Sequence, residues 1–178
     1  MKRLINLALI ICSVSFVGTS QTPPPPAPKL SLTFEYENEC GSPLAESMLW
    51  ESVEGKVTRI LSGDSIEIRM SNHKRKRVSL AAVDSSHDAN AARKTLTNLV
   101  LNKVVSVLVN PSDTKRTNII GVVHSQTTEI NRALIETGVT AYREPPFYSM
   151  SQVNTCVYRI LERKARDGRL GIWQNGSR

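Results

Sequence analysis

Two aspartates stand where short apolar runs meet turns. Asp64 lies in Ser62-Gly63-Asp64-Ser65, and Asp84 closes Leu80-Ala81-Ala82-Val83-Asp84-Ser85. In a closed sheet, the start of one strand and the end of the next can meet at one rim. Two carboxylates and a backbone carbonyl would make a hard oxygen site suited to Ca²⁺. A cation there would polarise a phosphodiester and stabilise its developing charge. Aspartate is also an ordinary turn former, so each motif alone is also satisfied by a plain turn.

The surrounding pattern supplies the strands. Val57 to Leu61 is a β-rich run, and Ile66, Ile68 and Met70 alternate with Glu67 and Arg69. A third strand is expected from Lys76 to Val83, with Val78, Leu80 and Ala82 on one face. Asn90 to Leu101 has helical spacing. Val104 to Val109 is strongly β-branched, and Ile119 to Val123 reads as a fifth strand. Glu129 to Thr137 is a short helix stopped by Gly138. The last helix is expected over Ser149 to Asp167, with Met150, Val153, Val157, Ile160 and Leu161 in one stripe. Five short strands with a helix between the third and fourth predict an α+β molecule. It is a five-stranded OB-type barrel with about three helices. An α+β sandwich with an open sheet is the alternative.

From Gly55 to Trp173 the chain resembles the staphylococcal nuclease, or thermonuclease-like, family. The resemblance rests on Gly63-Asp64-Ser65, Val83-Asp84-Ser85, the helix at Ala91–Leu101 and the strand Val104–Val109. It continues through the N-x-ALI-x-x-G run at Asn131–Gly138, Ala141-Tyr142 and the closing Leu170-Gly171-Ile172-Trp173. The resemblance implies an OB barrel that hydrolyses DNA and RNA with Ca²⁺. It places the metal on Asp64, Asp84 and the Ser85 carbonyl.

The rest of the family's catalytic set is altered. The phosphate-gripping arginine five residues before the second aspartate falls on Ser79. Arg77 lies on the same strand face, displaced by roughly 6–7 Å. The general-base glutamate falls on His87, which can take a proton near neutral pH, with Asp88 placed to orient it. A second arginine belongs to a D-x-Y-G-R loop, here Asp113-Thr114-Lys115-Arg116-Thr117. Ungapped matching puts Thr117 there, one past Arg116. Arg77, His87 and Arg116 are therefore the remaining candidates for the catalytic roles. Losing one electrostatic donor costs about 2.7–4 kcal/mol, and losing a base costs roughly 10²–10⁴ in rate. Binding without efficient hydrolysis is the expected outcome, with an active Ca²⁺-dependent nuclease and an envelope scaffold as alternatives.

Charge points to an anionic partner. The 178 residues carry 23 Lys and Arg against 16 Asp and Glu, a net +7. Six glutamates fall in residues 31–54, so residues 55–178 hold 20 basic and 10 acidic side chains, +10. Lys74, Arg75, Lys76, Lys115, Arg116 and Arg163 are candidate phosphate contacts for nucleic acid or another polyanion. Tyr142, Phe147 and Tyr148 flank Pro145-Pro146 in a loop that either stacks on bases or packs on the barrel.

Residues 1–20 read as a cleaved secretory signal: Lys2 and Arg3, an apolar stretch, then Gly18-Thr19-Ser20. No later segment is apolar enough to span a bilayer. Residues 21–30 form a proline spacer, 31–54 an acidic extension, and 55–178 the domain. The chain is expected to be secreted or to lie in the periplasm or envelope, as a monomer. Removing the signal leaves Cys40 and Cys156. In an exported chain they are natural disulfide partners; in a reducing compartment they are thiols.

Overall fold

The computed structural model describes residues 36–41, 50–146 and 149–175. The expected signal and proline spacer lie outside these residues, as do Phe147 and Tyr148.

A closed five-stranded barrel forms the centre, as expected for an OB fold. Its strands are β1 (Glu51–Ser62), β2 (Ser65–Arg69), β3 (Arg75–Leu80), β5 (Val104–Val109) and β6 (Asn118–Ser125). They follow the order β3-β2-β1-β5-β6, and a parallel pairing of β3 with β6 closes the ring. Closure removes the exposed edges that an open sheet would leave. β1 serves both halves: residues 51–56 pair with β5, and 56–62 with β2. Register shifts at Val57/Arg59 and Ile60/Ser62 mark irregularities of the kind that bend and twist a strand. The strand starts at Glu51, four residues before the expected domain edge.

Alternation fills the interior. Val57, Ile66, Ile68, Val78, Val107 and Val123 are fully buried, and in β3 and β5 the buried residues alternate with more exposed neighbours. Gly121 is required where β6 crosses β5. A Cβ there would lie 2.4 Å from the Leu108 carbonyl oxygen.

Three longer helices cover the barrel: α2 (Ala89–Val100), α3 (Ile130–Glu136) and α4 (Gln152–Asp167). Asp88 caps α2 by accepting from the Ala91 amide, and Ser151 caps α4 by accepting from Asn154. A four-residue helix, α1 (Glu37–Cys40), is joined to α4 by the Cys40–Cys156 disulfide. Among the described residues, no helix is long and apolar enough to cross a membrane.

The expected third strand is broken. β3 stops at Leu80, and Ala82 takes φ 63°. The chain then enters β4 (Val83–Asp84), which leaves the barrel to pair with β8 (Ala141–Tyr142). A further two-residue strand, β7 (Thr128–Glu129), folds back on β6. Asn131 holds this junction together. Its Oδ1 accepts from the Val123 amide, and its Nδ2 donates to the Ala81 and Gly121 carbonyls.

Candidate functional site

The break after β3 brings the two aspartates to one rim. The Leu80 amide donates to the Asp64 carbonyl at 2.8 Å, which holds the β1–β2 turn against the end of β3. Gly63 packs against the residue that follows Asp84. A Cβ on Gly63 would stand 2.7 Å from the Ser85 Cβ and 2.5 Å from that of Ala92. Only glycine permits this approach.

Each carboxylate already has donors. Ser62 Oγ donates to Asp64 Oδ1, and the Ser86 amide donates to Asp84 Oδ1 at 2.9 Å. That amide is the main reason the Asp84 carboxyl is held below the usual range; the Ser86 hydroxyl, Arg143 and His87 add to it.

Arg143, which sequence reasoning passed over, completes the rim. Its backbone amide donates to the Ala82 carbonyl, and its Nη2 donates to that of Val83 at 3.3 Å. The same Nη2 lies 3.9 Å from Asp64 Oδ2. The only signal in the sequence was its place just after the Ala141-Tyr142 motif. The β4–β8 pairing that delivers it joins residues some sixty positions apart.

The other candidates are scattered. His87 tilts against Trp173 with ring centres 5.8 Å apart, and Arg166 lies over the same indole at 4.2 Å. The Asp88 carboxylate caps α2, so it is not the group that orients His87. Arg116 is paired with the buried Asp113 at 3.1 Å. Arg77 points outward from β3, as does Ser79.

The basic candidates divide as well. Lys74 and Lys115 are exposed, and Arg75 is exposed with Glu67 3.5 Å away. Lys76 is withdrawn from this surface. It points inward and is 8% exposed, and its ammonium donates to the carbonyls of Thr114 and Arg116. Arg163 lies on α4, 4.0 Å from Glu39.

The outer face of β1–β2–β3 joins Arg75 and Arg77 to three cations that the sequence motifs did not mark, Lys56, Arg59 and Arg69. Strand register sets Lys56, Arg69 and Arg75 side by side in one row. The next row is Arg59, Glu67 and Arg77, and the third is Ser62, Ser65 and Ser79 beside the Asp64 turn. All five cations are exposed.

Residues 67–175 match the family described as staphylococcal nuclease homologue. The micrococcal nuclease of Shigella flexneri is 31% identical over a 140-residue alignment, and the match covers 71% of this chain and 76% of that protein.

This chain belongs to the staphylococcal nuclease homologue family.

Its rim departs from what the resemblance implies for a resident Ca²⁺. Asp64 and Asp84, the carboxylates on which the resemblance places the metal, are present, and Ser85 follows Asp84 directly. The ring of His87, three residues after Asp84, rests on Trp173, and a guanidinium flanks the carboxylates. The implied oxygen donors are there, but with a permanently charged guanidinium already facing Asp64 the rim does not fit a resident divalent ion in the way the resemblance implies.

Proposed function

We propose that this staphylococcal nuclease homologue is an exported protein that holds nucleic acid by its phosphodiester backbone, with weak or no hydrolysis. The observation that carries this reading is the outer face of β1–β2–β3. Like charges directly opposite on neighbouring strands are destabilising, yet Lys56, Arg69 and Arg75 share one row. Arg59 and Arg77 extend the patch toward the Asp64 rim, with Glu67 as its one acid. A phosphate chain laid across the face would relieve this repulsion and release counterions. The contacts would be to phosphate, so binding would carry little sequence preference. Weak hydrolysis is argued from the scattering of Arg116 and His87 and from the serine at position 79. The Cys40–Cys156 bond supports export, since disulfides persist in oxidising compartments.

The test is fluorescence anisotropy with single-stranded DNA and RNA oligonucleotides over a range of salt concentrations. Affinity should fall steeply with salt. The Lys56→Ala/Arg69→Ala/Arg77→Ala variant should lower the log–log slope by about 0.7 per lost contact. Absence of binding at low salt would overturn the reading.

An active nuclease remains the second reading, favoured by the retention of both Asp64 and Asp84 at one rim. Release of acid-soluble nucleotides with Ca²⁺, abolished by chelator and by Asp64→Ala, would establish it.

A further inference from the structure

Asp64 and Asp84 arrive from different strands, and two carboxylates at one rim need a counter-charge. We infer that Arg143 is the resident cation of this pair, and that its guanidinium keeps a divalent ion out of the place where the family's resemblance puts one.

The argument begins with the backbone. Asp84 pairs with Ala141 across β4–β8, and the Arg143 amide is hydrogen-bonded to Ala82. The root of the side chain is thus fixed two residues past Asp84's own partner. The tip is fixed too, since Nη2 donates to the Val83 carbonyl while facing Asp64 Oδ2 at 3.9 Å. Both ends are set by the strand that carries Asp84, and the charge is directed at the carboxylate from the other strand. The positive charge of Arg143 also acts on Asp84.

The neighbouring acid offers no alternative partner. The Glu144 carboxylate is taken by the Arg159 guanidinium and by the Tyr142 hydroxyl at 2.7 Å. Arg143 therefore faces the rim while Glu144 faces α4. Two carboxylates and one guanidinium leave a single net negative charge. A divalent ion entering there meets a like charge within a few ångströms, and it gains no third carboxylate. Because guanidinium stays protonated throughout the accessible pH range, this cation is permanent. Metal exclusion is a property of the rim alone, so the test contains no nucleic acid and stands apart from the proposed function.

Calcium chloride titrated calorimetrically into the purified chain is the test, with thermal unfolding followed in parallel with and without Ca²⁺. Arg143→Met, which keeps side-chain bulk and removes the charge, should bind Ca²⁺ at least tenfold more tightly than the parent. It should also gain thermal stability from it. Arg143→Lys should behave like the parent. Arg143→Met/Asp64→Asn should lose the acquired binding. If Arg143→Met is unfolded without metal, Ca²⁺ should restore its far-ultraviolet circular dichroism. Equal Ca²⁺ affinity in parent and Arg143→Met, or no binding or rescue in either, would overturn the inference.

Discussion

The Lys164 ammonium donates to the Tyr36 hydroxyl at 2.9 Å while lying 4.7 Å from the centre of its ring. The Arg132 guanidinium lies over the same ring at 5.5 Å. Tyr36 is thereby buried, at 4% exposure, on a domain whose first strand starts fifteen residues later. The short α1 that follows is tied to α4 through Cys40–Cys156, across 116 positions. Part of the acidic extension is thus clamped onto the basic domain, with Glu39 facing Arg163.

Cross-linking over so long a loop restricts the unfolded chain most. Cys40→Ala/Cys156→Ala should therefore lose roughly 4–5 kcal/mol of stability by urea denaturation. A loss below about 1 kcal/mol would mean that Tyr36 packing alone holds the extension.

Asn131 should be among the most sensitive polar positions. It is fully buried and serves one amide and two carbonyls from two segments of the chain, β6 and the turn after β3. Asn131→Ala removes this partner from the Val123 amide and the Ala81 carbonyl, while the Gly121 carbonyl still accepts from the Ala81 amide, and each orphaned group costs about 1–3 kcal/mol. A drop of about 3 kcal/mol or more is expected from denaturant unfolding. A near-neutral result would show that water enters and replaces the carboxamide.

Lys76 and Lys74 should separate a structural lysine from a surface one. The Lys76 ammonium anchors the 111–117 loop through two carbonyls, whereas Lys74 is exposed. Lys76→Met should lower stability by roughly 1.5–3 kcal/mol, the range for hydrogen bonds to a charged group. Lys74→Met should leave the melting temperature unchanged. Equal melting temperatures for the two variants would contradict the anchoring role.

Alkaline stability should follow the tyrosines. Burial, then the charge and hydrogen bond of Glu129, push the Tyr158 phenol well above its ordinary value of 10.0. Burial, then the bond to Glu144, push Tyr142 up to about 12 from the same value. The folded state keeps these protons while the unfolded chain releases them near pH 10. Their contribution is therefore complete below pH 10 and is lost as pH rises toward and beyond 12. Unfolding free energy measured by denaturant from pH 8 upward should fall across that window. A flat profile would exclude the assignment.

The order of elements was legible because local physics writes it. Alternation in Ile66–Arg69 and Val104–Val109 can bury only one face of a strand, and the α4 stripe can bury only one side of a helix. The two aspartates and the altered catalytic positions were also read directly, since they depend on residue type and spacing. The break at Ala82 was not readable. Val83 has the same apolar character as the strand before it, and what separates them is a pairing with Tyr142. The parity that turns Lys76 inward with Val78 and Leu80 is written in their spacing, but the Thr114 and Arg116 carbonyls that its ammonium reaches are not.

By itself, then, the sequence determined an OB barrel of the nuclease family, an acidic stretch at 31–54 and a basic excess from 55 onward. Tertiary structure decided which charges face one another. It set Arg143 beside Asp64, turned His87 onto Trp173, gave Arg116 to Asp113, and aligned Lys56, Arg69 and Arg75 in one row. Each of these depends on strand register or long-range pairing. Electrostatic energy varies with distances of a few ångströms, which only the closed barrel fixes.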